Sequence, residues 1–126
     1  MARSVAEMLA EANASVEKLT AEEAKSLLGK DDVVFVDVRE PEEVARLGQV
    51  PGALHIPRGL LEFSADPRSP SHKPALSSGR RVVVYCGSGT RSALAAKTLK
   101  EMGVVRATNM LGGFKAWQES GGEIER

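Results

Sequence analysis

Two stretches of the chain carry unbroken apolar runs, Val33-Val34-Phe35-Val36-Asp37-Val38 and Arg81-Val82-Val83-Val84-Tyr85. A strand with one wet face would alternate apolar and polar residues. A continuous β-branched run predicts a strand covered on both faces, the habit of parallel sheets. Around these runs the apolar positions fall at helical spacing. Ser4 with Glu7 forms a capping box ahead of Val5, Met8, Leu9 and Ala12 and predicts a helix over 4–12. Thr20 with Glu23 opens a second helix, 21–28, closed by Gly29. Pro41 starts a third, 41–47, ended by Gly48. A fourth covers 91–102, and a last one begins at Phe114 after Gly112-Gly113. Shorter strands are expected at 15–19, 53–56 and 104–110, and a helical turn at 59–65. Residues 66–79 contain Pro67, Pro70, Pro74 and Gly79 and read as a loop. Strands alternating with helices predict an α/β fold with a mainly parallel sheet.

Composition narrows the function. The chain has 126 residues, one domain's worth, with 17 basic and 17 acidic side chains and a net charge of zero. A neutral chain is a poor nonspecific binder of nucleic acid or membrane, so neither is expected as a partner. No apolar run approaches the roughly 18 residues of a membrane span. One cysteine, Cys86, excludes an intrachain disulfide, a paired-cysteine redox motif and a cysteine-rich zinc site. A free thiol and an N-terminus without a secretory pattern point to the cytoplasm. The charges are sorted along the chain. Residues 1–66 hold 7 basic and 13 acidic side chains, and residues 67–118 hold 9 basic and 1 acidic. The basic stretch contains Cys86, so electrostatic steering of anions toward the thiol is expected.

The segment after the second apolar strand carries the chemistry. Cys86 stands at that strand's carboxyl end, followed by Gly87, Ser88, Gly89, Thr90 and Arg91 and then a helix. Ligands of open α/β sheets sit at this end of the strands. A tight glycine-containing loop feeding a helix leaves backbone N–H groups unpaired, and these cradle anions. The same field, with Arg91, is expected to lower the thiol's pKa and make Cys86 a nucleophile, with Ser88 and Thr90 adding hydroxyl donors. The spacing is Cys-x4-Arg, one residue shorter than the Cys-x5-Arg loop of protein phosphatases. Tyr85 stands where those enzymes have His, and the loop holds no acidic residue to serve as a general acid. A smaller ring suits a sulfur atom carried on the cysteine, so sulfur transfer is favoured over phosphate ester hydrolysis.

Four motifs in order resemble the single-domain rhodaneses, a sulfurtransferase family, over residues 16–122. They are Phe35 to Glu43 (Phe-Val-Asp-Val-Arg-Glu-Pro-Glu-Glu), Gly48 to Ala53 leading to Ile56-Pro57, the loop Cys86 to Arg91 with Ser92, and Gly112 to Trp117. Residues 1–15 fall outside as an added helix and 123–126 as a tail. The resemblance implies a rhodanese-like fold, with a five-stranded sheet and helices on both faces. It also implies a double displacement through a Cys86 persulfide. The donor is a sulfane sulfur compound such as thiosulfate, and the acceptor is a thiophile: cyanide, a thiol or a sulfur-acceptor protein. No metal or organic cofactor is implied. Two departures stand out. Gln49 replaces a frequent histidine, and positions 87–90 lack the cationic residues common in rhodaneses most efficient with thiosulfate. Asp37 and Arg39 are expected beside the site as a bracing ion pair. His72, in the 66–79 loop, is a candidate to face the substrate. His55 and Trp117 read as core or turn residues, and Arg58 and Lys73 as solvated charges. The alternatives are a noncatalytic binding module, a cysteine-dependent phosphatase of the same fold, and a peroxide-sensing thiol.

Overall fold

A computed structural model describes residues 2–126. Five strands form one all-parallel sheet: β1 (Glu17–Leu19), β2 (Val33–Asp37), β3 (Leu54–His55), β4 (Arg81–Tyr85) and β5 (Ala107–Met110), in spatial order β1-β5-β4-β2-β3. The two unbroken apolar runs became β2 and β4. They pair centrally in the sheet from Val33 opposite Arg81 to Asp37 opposite Tyr85.

The pleat sends their side chains into two cores. Val34, Val36, Val82 and Val84 point to one face, packed with Ala95, Ala96 and Leu99 of α5 (Thr90–Glu101) and with Leu61 and Ala65 of α4 (Leu61–Ala65). Phe35, Val83 and Tyr85 point to the other, against Ala21 and Ala24 of α2 (Ala21–Lys25) and Phe114 and Trp117 of α6 (Gly113–Glu119). Helices therefore cover both faces, which is why neither run needed to alternate. Burying each such side chain contributes roughly 1.5–3 kcal/mol.

α1 (Val5–Ser15) runs three residues beyond the expected end. Both expected capping boxes are present, at Ser4–Glu7 and Thr20–Glu23. Ala12 of α1 is fully buried, and Glu11 pairs with Lys97 of α5. α3 (Pro41–Leu47) has Pro41 in its first turn, and at its N-terminus Glu40 N–H donates to the Glu43 carboxylate at 2.8 Å. The last residues fold back: Gln49 and Glu125 exchange backbone hydrogen bonds of 2.9 and 2.8 Å.

Several boundaries shifted. α2 stops at Lys25 and continues as turns, because a 3₁₀-type hydrogen bond from Ser26 N–H to Glu23 O tightens its end. β5 begins at Ala107, three residues later than expected. Val104 caps α5 through its amide on Leu99 O and tucks into the core instead. The 66–79 segment contains a 3₁₀ turn, Pro74–Ser77, which drives Leu76 into the core.

The charge sorting is partly offset in three dimensions. Cations of the basic stretch meet acids of the acidic one: Arg91 with Glu43, Lys97 with Glu11, Arg81 with Glu17. Interleaved parallel strands bring distant sequence together and so pair part of the basic stretch with acids.

Candidate active site

Cys86 follows β4 directly, at the carboxyl end of the sheet, and is fully buried. Its sulfur accepts hydrogen bonds from Gly89 N–H at 3.1 Å and Ser92 N–H at 3.4 Å, and Ser92 Oγ lies 3.4 Å from it. Burial pushes the thiol's pKa up. The Ser92 hydroxyl and the amides of Ser92, Ser88 and Gly89 outweigh it and hold the pKa below its usual value.

The loop is braced from behind by α6. Phe114 N–H donates to Cys86 O at 2.8 Å and Lys115 N–H to Gly87 O at 3.1 Å. These carbonyls find partners at the orphan donors of a helix start, which leaves the loop's own N–H groups free to face the sulfur. Gly113, at φ +60°, permits the contact, since a Cβ there would lie 2.5 Å from Cys86 O and 2.7 Å from Gly87 O. This accounts physically for the Gly112-Gly113-Phe114 segment. Gly89, at φ +98°, turns the chain into α5, and a Cβ there would come within 3.0 Å of Gly112 N.

β5 supplies the side wall. Asn109 is buried, donates from Nδ2 to Gly89 O at 3.2 Å, and accepts at Oδ1 from Ser92 Oγ at 2.6 Å. Neither Asn109 nor the hydroxyl of Ser92 was singled out from the sequence. The expected hydroxyl donors were Ser88 and Thr90; the hydroxyl beside the sulfur is Ser92's, whose helical position turns its side chain back over the loop. A serine on the first turn of the helix behind a nucleophile was the available signal.

Arg91 is differently employed than expected. Its guanidinium makes a two-pronged pair with Glu43 of α3, 2.8 and 2.9 Å, and does not bond the sulfur. A Cβ on Gly87 would lie 3.3 Å from Arg91 Nη2 and 3.8 Å from Glu43 Oε1, so the pair sits over that part of the loop. The Arg91 hydrogen bonds carry Glu43 down to about 2.

Asp37 and Arg39 form a fully buried ion pair at the end of β2, with Nη2 on Oδ2 at 2.7 Å and Nε on Oδ1 at 3.0 Å. Arg39 also donates to Gly48 O at 2.6 Å and lies over the Phe114 ring, 4.2 Å from its centroid. It thus ties β2 to the turn after α3 and to the helix that braces the loop. His55 Nε2 lies 2.8 Å from Arg39 O. His72 is engaged elsewhere: Nδ1 lies 3.0 Å from Ser64 O and Nε2 2.9 Å from Ser77 Oγ. It staples the 66–79 segment and is not among the sulfur's hydrogen-bond partners. The Tyr85 hydroxyl accepts from Val50 N–H at 3.1 Å, and burial pushes its pKa up.

Among the described residues, no cluster of three His, Cys, Asp or Glu side chains could hold a metal ion, and no helix is long and apolar enough to cross a membrane.

Residues 20–120 match the model of the rhodanese-like domain. The chain belongs to the rhodanese-like domain family. A sulfurtransferase of Allochromatium vinosum is 36% identical over 98 residues, covering 78% of this chain and 83% of that protein. The human thiosulfate:glutathione sulfurtransferase is 35% identical over 104 residues, covering 77% and 89%. A solved structure from Rhodopseudomonas palustris superposes with a TM-score of 0.95 at 46% identity, over 99% of this chain and 96% of that one. That protein is described as of unknown function and a possible tyrosine phosphatase. This rhodanese-like chain thus has relatives named as sulfurtransferases, and its buried thiol lies where the fold presents backbone donors.

Proposed function

We propose that this rhodanese-like protein transfers sulfane sulfur through a persulfide on Cys86. The observation that carries the reading is the set of donors around one sulfur: Gly89 N–H and Ser92 N–H on it, and the Ser92 hydroxyl 3.4 Å away, able to turn onto a thiolate. Hydrogen bonds to a charged sulfur contribute about 1.5–3 kcal/mol each, enough together to offset burial of a thiolate. In the first displacement the Cys86 thiolate attacks the outer sulfur of a donor such as thiosulfate. The new S–S bond forms as the old one breaks, and sulfite leaves with the bonding pair. The persulfide's terminal sulfur then meets the amides of the loop. In the second displacement a thiophile, a thiol or cyanide, attacks that terminal sulfur and Cys86 leaves as thiolate. With one cysteine in the sequence, no internal disulfide can discharge the persulfide, so the acceptor is another molecule.

Phosphate ester hydrolysis is less well supported by the same geometry. Arg91 is turned onto Glu43 and not into the loop. Asp37 is committed to Arg39 and Glu43 to Arg91, and Glu43 at about 2 is no general acid near neutral pH. The intact nucleophile also speaks against a purely noncatalytic module.

Steady-state kinetics test the reading. With thiosulfate and cyanide or glutathione varied together, double displacement predicts parallel lines in reciprocal plots and loss of turnover in Cys86→Ser. Turnover of an aryl phosphate with no sulfur transfer would overturn it in favour of the phosphatase.

A further inference from the structure

The Ser92 hydroxyl stands between two acceptors and has one proton. Its oxygen lies 2.6 Å from Asn109 Oδ1 and 3.4 Å from Cys86 Sγ. The orientation of the Asn109 amide follows from its other end. Gly89 O, 3.2 Å away, can only accept, so the amide nitrogen faces it and the amide oxygen faces Ser92. That oxygen can only accept in turn. While Ser92 serves Asn109, it shows the sulfur nothing but lone pairs.

We propose that Asn109 is a positioning residue that controls where the Ser92 proton points. In the resting thiol, Cys86 S–H donates to Ser92 Oγ and Ser92 O–H donates to Asn109. When the thiol ionises, its proton passes to solvent base and the Ser92 hydroxyl turns onto the sulfur. Asn109 Oδ1 then loses its partner in a buried place, and an unmet buried acceptor is costly. Asn109 therefore opposes ionisation through Ser92 while holding the Gly89 peptide in place. The two fixed donors, Gly89 N–H and Ser92 N–H, cannot make this exchange.

The other charged groups around the sulfur do not share the Ser92 proton. The Arg91–Glu43 pair reaches the loop from α5 and α3, with Arg91 acting on the sulfur through space, and the Asp37–Arg39 pair lies at the end of β2; neither pair is hydrogen-bonded to the side chain of Asn109 or Ser92. Lys115 contributes its backbone amide to Gly87 O.

The proposal rests on Cys86 being the working nucleophile, but its test reads ionisation alone and does not require sulfur transfer. The pH dependence of iodoacetamide alkylation gives the Cys86 midpoint in the full chain. Asn109→Leu removes the competing acceptor, and the midpoint is expected to fall by about half to one pH unit. Ser92→Ala raises the midpoint by about one unit, and adding Asn109→Leu to it changes nothing further. A rise in Asn109→Leu, or an equal shift with and without Ser92, would overturn the proposal, because a merely structural asparagine acts independently of that hydroxyl. Should Asn109→Leu fail to fold, the unmodified protein answers. The side-chain carbonyl ¹³C resonance of Asn109 is expected to titrate with the Cys86 midpoint and to stay fixed in Ser92→Ala; titration in both, or in neither, contradicts the account.

Discussion

Arg91 and Glu43 meet in a two-pronged ion pair, 48 residues apart in sequence, above the loop that holds Cys86. An arginine at the end of a cysteine loop is easily taken for the cation that ionises the thiol. Here its hydrogen bonds go to a carboxylate, it acts on the sulfur only through space, and the hydrogen bonds around the sulfur come from neutral donors.

Thiol ionisation is therefore expected to depend on Ser92 more than on Arg91. Ser92→Ala should raise the Cys86 midpoint by about one pH unit, while Arg91→Ala should move it by less than about half a unit. Alkylation rates across pH measure both.

The same pair should appear in acid stability. Glu43 falls from 4.5 to about 2 on folding, chiefly through its Arg91 hydrogen bonds. A depressed carboxylate contributes stability that is complete above the unfolded value of 4.5 and lost as pH falls toward 2. The shift corresponds to a ceiling of about 3 kcal/mol, and with Arg91 41% exposed, solvent screening reduces this to about 1–2 kcal/mol. Urea midpoints measured down to acid pH should decline through this window in the native protein and less steeply in Glu43→Gln.

Gly113 tests how far the loop depends on α6. Gly113→Ala places a Cβ within 2.5 Å of Cys86 O and 2.7 Å of Gly87 C, contacts with backbone that cannot swing aside. It should cost about 2 kcal/mol or more and raise the Cys86 midpoint together with the stability loss. Gly29→Ala shares the positive φ, at +83°, but meets nothing within 4 Å, so it should cost only about 1 kcal/mol and leave the thiol unchanged. Denaturant melts and alkylation of the two variants separate these effects.

Much of this framework was legible in the sequence, for reasons of range. The unbroken runs of β2 and β4, the Ser4 and Thr20 capping boxes and the strand–cysteine–helix order depend on neighbouring residues, and periodicity encodes them. What escaped is long-range. Nothing near Ser92 announces Asn109, which arrives from another strand, and nothing near Arg91 announces Glu43. Pro74 signalled a loop, yet the 3₁₀ turn it starts is stabilised by burying Leu76, a tertiary effect. His72 looked available because a loop histidine has no local partner; Ser64 and Ser77 supply them only once the segment folds.

The paired charges carry a kinetic consequence. With no net charge on the chain and Arg91, Lys97 and Arg81 each facing an acid, long-range attraction of an anionic donor should be slight. The rate of sulfur loading from thiosulfate is expected to change by less than about twofold as added salt shortens the screening length from roughly 30 Å to roughly 8 Å. A steep decline in a stopped-flow titration would restore steering.

The central claim is that Cys86 carries a sulfur atom between two partners. Intact-mass spectrometry of the desalted protein after incubation with thiosulfate, and separately with glutathione persulfide, tests it most directly. The expected result is a gain of one sulfur atom, removed by cyanide and absent in Cys86→Ser. An unchanged mass with both donors, from a folded protein whose Cys86 alkylates normally, would contradict it.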